Sequence, residues 1–143
     1  MARRVINLMG HPVIDEESKA ADATITPGHL LEFVGTDEVQ RNTNVVGMAV
    51  RRVALERDEI GRDIDHAYEQ DEVVKVGVFA GGQRAYLFTP SGQNIVRGSL
   101  LQPDGSGRVV WASGWGIAEA LAAPEPPVPA AAVQDFRVRA QFI

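Results

Sequence analysis

The chain contains no cysteine among its 143 residues, which removes disulfide frameworks, thiolate zinc sites and thiol nucleophiles together and leaves the redox compartment open. Histidine is nearly as scarce. His11, His29 and His66 stand far apart with no ligand spacing among them, so a structural or surface role is expected for each. Basic charge is in deficit, with 14 Lys and Arg against 19 Asp and Glu, a net charge of -5 and a pI near 5.1. Non-specific nucleic-acid binding rests on phosphate neutralisation by Lys and Arg, so none is expected of the whole chain. No apolar run is long enough to span a bilayer. The basic start, Met1 to Met9, resembles the head of a signal peptide, but Gly10-His11-Pro12 interrupts it and no small-residue cleavage site follows. A soluble protein made in the cytoplasm, without membrane contact, is expected.

What is present is ordinary for a globular chain: 45% hydrophobic and 23% charged residues argue against disorder over most of the length. A single domain near this size buries roughly 68–70% of its unfolded surface, enough for a core without staples.

The clearest organisation lies in residues 71 to 113. Short apolar segments alternate there with turn signals: Gly81-Gly82, Pro90-Ser91-Gly92, Gly98 and Pro103-Asp104-Gly105. This pattern reads as consecutive strands of a small antiparallel barrel or sandwich. Upstream, residues 1 to about 23 open basic and become acidic without a period that buries one face. They are either a frayed terminus or an arm that orders on a partner, with Val5, Ile6 and Leu8 as apolar anchors and Arg3 and Arg4 as charge.

His29 to Val34 reads as the first strand, and Asn44 to Leu55 as a further β segment because of its β-branched content and Gly47. In the acidic stretch that follows, Ile64, Ala67 and Tyr68 fall at i, i+3 and i+4, which predicts a short helix capped by Asp63. Ile117 to Leu121 fits a short helix or a strand, and Pro124 to Pro129 a stiff polyproline connection. The last segment alternates cleanly. Phe136, Val138, Ala140 and Phe142 face one way, and Arg137, Arg139 and Gln141 the other.

Catalytic look-alikes have simpler readings. Glu56, Asp58, Glu59, Asp63 and Asp65 match no calcium loop and read as a cap with a solvated face. Gly81-Gly82-Gln83 lies between two strand-like runs, where a tight hairpin needs positive φ. Gly105-Ser106-Gly107 lacks the strand, spacing and Lys of a phosphate loop, and Ser91 and Ser113 lack a nucleophile elbow. No catalytic, metal or cofactor site is expected. Trp111 and Trp115, with Tyr86 and Phe88, are the large aromatics of the central region. They suit core or subunit-interface packing; in a single-strand-binding barrel they would be stacking platforms.

Several of these segments together resemble the head decoration, or cementing, proteins of tailed bacteriophages. The segments are Thr26-Pro27-Gly28 before the first strand, Glu59-Ile60-Gly61 with Ile64-Asp65-His66-Ala67-Tyr68, Gly92-Gln93-Asn94 with Gly98-Ser99-Leu100-Leu101, and Asp104-Gly105-Ser106-Gly107. The resemblance covers residues 24 to 143. It implies a mainly β fold, a small antiparallel β-barrel of the β-tulip kind with one short helix, preceded by an extended arm over residues 1 to 23. It also implies a homotrimer on the outer surface of the virion, bound to the major capsid protein near local threefold axes and without catalysis. The arm residues Arg3, Arg4, Val5, Ile6 and Leu8 would then contact the capsid, and removing residues 2 to 14 would leave melting nearly unchanged. Trp111 and Trp115, in a Trp-Ala-Ser-Gly-Trp stretch that departs from the family pattern, are candidates for trimer or rim contacts. The alternative is a small barrel that binds a ligand or oligonucleotide through Trp111, Trp115 and Tyr86.

Overall fold

The computed structural model describes residues 5–45, 51–126 and 135–143. The chain is mainly β. Its strands are β1 (Asn7–Met9), β2 (Val13–Asp15), β3 (Lys19–Ala20), β4 (Leu31–Val34), β5 (Glu38–Arg41), β6 (Arg52–Ala54), β7 (Val76–Val78), β8 (Arg84–Thr89), β9 (Leu100–Pro103), β10 (Val109–Trp111), β11 (Ala118–Ala120) and β12 (Phe136–Phe142). They form a six-stranded sheet in the order β1-β8-β12-β11-β9-β10 and two three-stranded sheets, β2-β7-β6 and β3-β5-β4. Every described pairing of these strands is antiparallel except β3 with β5.

The alternation of the last segment places β12 between β8 and β11. Its residues Val138, Ala140 and Phe142 enter the larger core with Ile6, Leu87 and Leu101. A second core, beneath the two small sheets, gathers Ile25, Leu31, Val39, Tyr68, Val74 and Val76. The opposite face of β12 is covered as well. Arg137, expected to face outward, is only 7% exposed, because the chain from Pro27 to His29 and the chain around Ile64 lie over it and take its hydrogen bonds.

No closed barrel forms among the described residues, which corrects the barrel expectation. The end strands β1 and β10 do not pair. The segment around Gly28 bridges the gap instead: Phe88 N–H donates to the Gly28 carbonyl (3.2 Å) and Leu30 N–H to the Gly107 carbonyl (2.7 Å). Pro27 has no N–H to give a ladder. Gly28 sits at φ +103°, where an added Cβ would come 3.0 Å from the Tyr86 carbonyl oxygen. A turn fills the place of a strand, so the ladder cannot continue.

The short helix is also absent. A helix over residues 63 to 68 would join Tyr68 N–H to the Ile64 carbonyl. Here Tyr68 N–H donates to Ile25 (2.8 Å) and the Ile64 carbonyl accepts from Arg137 Nη2 (2.7 Å). Ile64 and Tyr68 are buried all the same, but Ala67, the third residue of the spacing, is exposed. Asp63 closes a local turn onto Asp65 N–H (3.0 Å), and the one helical turn among the described residues is Asp58–Ile60.

The N-terminal segment is woven into the fold. Asn7 pairs with Ala85, Val13 with Val78 and Lys19 with Val73, so residues 7 to 19 run antiparallel to 73 to 85 in a nearly constant register. Ile117 to Leu121 adopts the strand alternative, as β11. Part of the expected 44 to 55 strand, residues 46 to 50, and residues 127 to 129 of the polyproline connection lie outside the described residues.

Candidate interaction surface

Strands β10 and β11 flank β9 on opposite sides, so residues 112 to 117 must carry the chain across β9. Both ends of this crossing are fastened to it: Ala112 N–H donates to the Leu100 carbonyl and Ile117 N–H to the Leu101 carbonyl, each at 2.8 Å. Gly116 lies so close that an added Cβ would stand 2.7 Å from the Leu101 carbonyl oxygen. Trp115 sits on this pinned loop, 90% exposed, and Trp111 is 53% exposed at the end of β10, the last strand of its sheet. Side chains of this size are normally buried. Two of them, four positions apart in sequence, stand in water and are suited to contact another molecule.

The residues predicted for the arm divide into three groups. Arg3 and Arg4 lie outside the described residues. Ile6 is fully buried in the larger core, its N–H donating to Glu56 Oε2 (3.2 Å), and Leu8 packs against the same core. An anchor that fills the chain's own core is not free for a capsid, so the expectation holds no place for Ile6. Val5 is exposed, and so are three side chains that sequence reasoning passed over: Met9, Val13 and Ile14. The adjacent apolar pair Val13-Ile14 carries no alternation, so nothing local indicated that both of its faces meet water.

The remaining candidates have structural partners. Tyr86 is buried, with its hydroxyl 2.5 Å from Glu125 Oε2, so a stacking surface would rest on Trp111 and Trp115 without it. Asp58 and Glu59 pair with Lys75 (3.6 and 3.5 Å), Glu59 also with Arg57 (3.0 Å), and Asp65 with Arg137 (2.9 Å). Gln83 Oε1 accepts from Ala80 N–H (2.8 Å) across the Gly81-Gly82 turn. Asp104 Oδ1 accepts from Ser106 N–H (2.8 Å) and Arg108 N–H (3.2 Å). The contacts of Gln83 and Asp104 are those of turns. Among the described residues no group of three His, Asp or Glu side chains is placed to hold a metal ion.

His29 is buried, its Nδ1 accepting from Thr26 N–H (3.0 Å) and its ring 4.5 Å from that of Phe88. Burial, and after it the guanidinium groups of Arg41, Arg137 and Arg108, push its pKa down to about 3. The ring is neutral at pH 7 and serves the turn that bridges the large sheet.

No protein-family model matches the chain, and no curated protein matches it.

Proposed function

We propose that this chain is a structural interaction module of the phage-decoration type. In this reading three copies assemble and bind the outer surface of the mature capsid, where they stabilise the lattice of the major capsid protein. The observation that carries it is Trp115, a 90% exposed indole on a loop fastened at both ends. Such a loop offers apolar contact area with little further ordering on binding. The segments that resemble the family support the reading as turns and packing elements. Thr26-Pro27-Gly28 bridges the large sheet, Ile64 and Tyr68 are buried, and Asp104 to Gly107 folds around one carboxylate. We extend the proposal to the fold class, a β-tulip-like arrangement in which residues 26 to 30 stand where a closing strand would be. Several weak attachments on one trimer raise avidity without new contact types. Sedimentation equilibrium is expected to give the mass of three chains, and the protein is expected to co-sediment with expanded empty heads of its phage. A monomer that stays in the supernatant would end this reading.

The exposure of Trp111 and Trp115 also suits a second reading, binding of a small ligand or single-stranded oligonucleotide. Salt-dependent quenching of tryptophan fluorescence by short single strands would favour it.

A further inference from the structure

Among the described residues the outer edge of β2 has no strand beside it, because β2 ends the order β2-β7-β6. Hydrogen-bond phase shows what that edge presents. Leu55 N–H donates to the Lys75 carbonyl (2.8 Å) and Phe79 N–H to the Arg51 carbonyl (2.9 Å), so odd-numbered residues of this stretch turn their backbone groups toward β6. In an antiparallel ladder the alternate residues turn the other way, so Val76 and Val78 point theirs at β2. Their opposite numbers, Asp15 and Val13, face inward. The backbone groups of Ile14 and the carbonyl of Pro12 therefore point outward.

The side chains on this edge are bare on both faces. Val13 and Ile14 are adjacent in a strand and so project to opposite sides, yet they are 70% and 47% exposed. Unprotected apolar edges are templates for another strand.

We propose that this edge pairs antiparallel with the same edge of a second copy, about a twofold axis through Val13. A twofold antiparallel ladder sets one residue opposite itself. With Val13 at that point, Pro12 of each copy meets Ile14 of the other and His11 of each meets Asp15 of the other. Apolar groups meet on both faces, and each end joins an imidazole to a carboxylate with no like charges opposed. The outward N–H of each Ile14 meets the outward carbonyl of the other copy's Pro12, the two bonds that flank a non-hydrogen-bonded pair. An axis through Ile14 instead would set Val13 against Asp15 on both sides, apolar against carboxylate. So few bonds predict a weak contact. It is independent of the capsid reading and of any threefold assembly.

The absence of cysteine lets one introduced thiol report one contact. In a non-hydrogen-bonded pair the Cα atoms lie about 4.5 Å apart, within the disulfide range of about 4.4–6.8 Å. Under mild oxidation, Val13→Cys is expected to form a disulfide dimer at least about tenfold faster than Val96→Cys, because pairing raises the local thiol concentration. Val96 is a suitable control, being 60% exposed on a different turn. Equal rates would overturn the pairing, and faster linkage of Ile14→Cys would overturn the Val13 axis. Val13→Asp, checked for an unchanged melting temperature, is expected to abolish the further association, above the mass of the smallest assembly, that the wild type shows in sedimentation equilibrium at high concentration. An unchanged mass would also overturn it. Should Val13→Asp fail to fold, the cysteine comparison still decides.

Discussion

Arg137 Nη1 lies 2.9 Å from Asp65 Oδ1, joining the last strand to the acidic segment 72 residues earlier. The same guanidinium donates to the carbonyls of Pro27 (3.0 Å) and Ile64 (2.7 Å), and its Cζ lies 4.2 Å from the Phe88 ring centroid. One buried side chain thus holds both segments that cover the polar face of β12. Its two halves differ in weight. The carbonyls are buried with it, whereas Asp65 is exposed and its attraction is screened by water.

Arg137→Met is accordingly expected to destabilise the fold by about 3 kcal/mol, since it leaves two carbonyls without donors. Asp65→Asn is expected to cost under about 1 kcal/mol. Urea denaturation of the two variants checks the contrast. Similar losses for both would show that the ion pair, and not the carbonyl contacts, carries the stability.

His29 gives the fold an acid dependence of defined sign. Its folded pKa, about 3, lies below the ordinary value of 6.5, so between those values the unfolded chain binds the proton and the folded chain does not. Stability is full above pH 6.5 and falls as pH drops toward 3, by up to about 1.4 kcal/mol per unit. Denaturation at pH 7 and pH 4.5 is expected to show this loss in the wild type and much less of it in His29→Gln. Equal losses would assign the acid dependence elsewhere.

Removing residues 2 to 14 is now expected to destabilise the chain, against the expectation of a separable arm, because β1, most of β2 and the buried Ile6 go with it. Ile6→Ala alone is expected to cost about 2–5 kcal/mol, and the exposed Val5→Ala less than about 0.5 kcal/mol. Thermal melting of the three proteins tests this.

The pinned crossing loop separates shape from contact. Gly116→Ala is expected to cost about 1–3 kcal/mol, since its Cβ would press on the Leu101 backbone. Trp115→Ala is expected to leave the melting temperature within about 2 °C, its side chain being in water. Equal melting for both would mean that the loop is not held against β9.

The β content and most strands could be read from the residues because alternation and turn chemistry are local. Phe136 to Phe142 and the Asp104-Gly105 turn fall where their patterns place them, whereas the Gly81-Gly82 turn closes no hairpin, because it joins β7 and β8, which lie in different sheets. What could not be read depends on contacts distant in sequence. Tyr68 has helical spacing from Ile64, but Ile25 and Arg137, far away in the chain, claim the backbone groups a helix would use. Arg137 looked like a solvated residue because alternation reports only that β12 has two faces, and not that a second layer lies on the polar one. Residues 7 to 20 lacked a period because their pairing partner, not their own composition, makes them strands. Trp115 was visible as a candidate from its type, but its exposure follows from the crossing over β9, which only the order of strands reveals.

The central claim is that the chain acts through surface contact with a capsid and that Trp115 supplies part of it. Co-sedimentation of wild type and Trp115→Ala with expanded empty heads, over a range of protein concentrations, tests this most directly. The account predicts saturable binding by the wild type and at least about tenfold weaker binding by a variant that melts normally, the loss typical of an exposed aromatic anchor. Absence of wild-type binding at any concentration would contradict the capsid reading, and equal binding by both proteins would remove Trp115 from it.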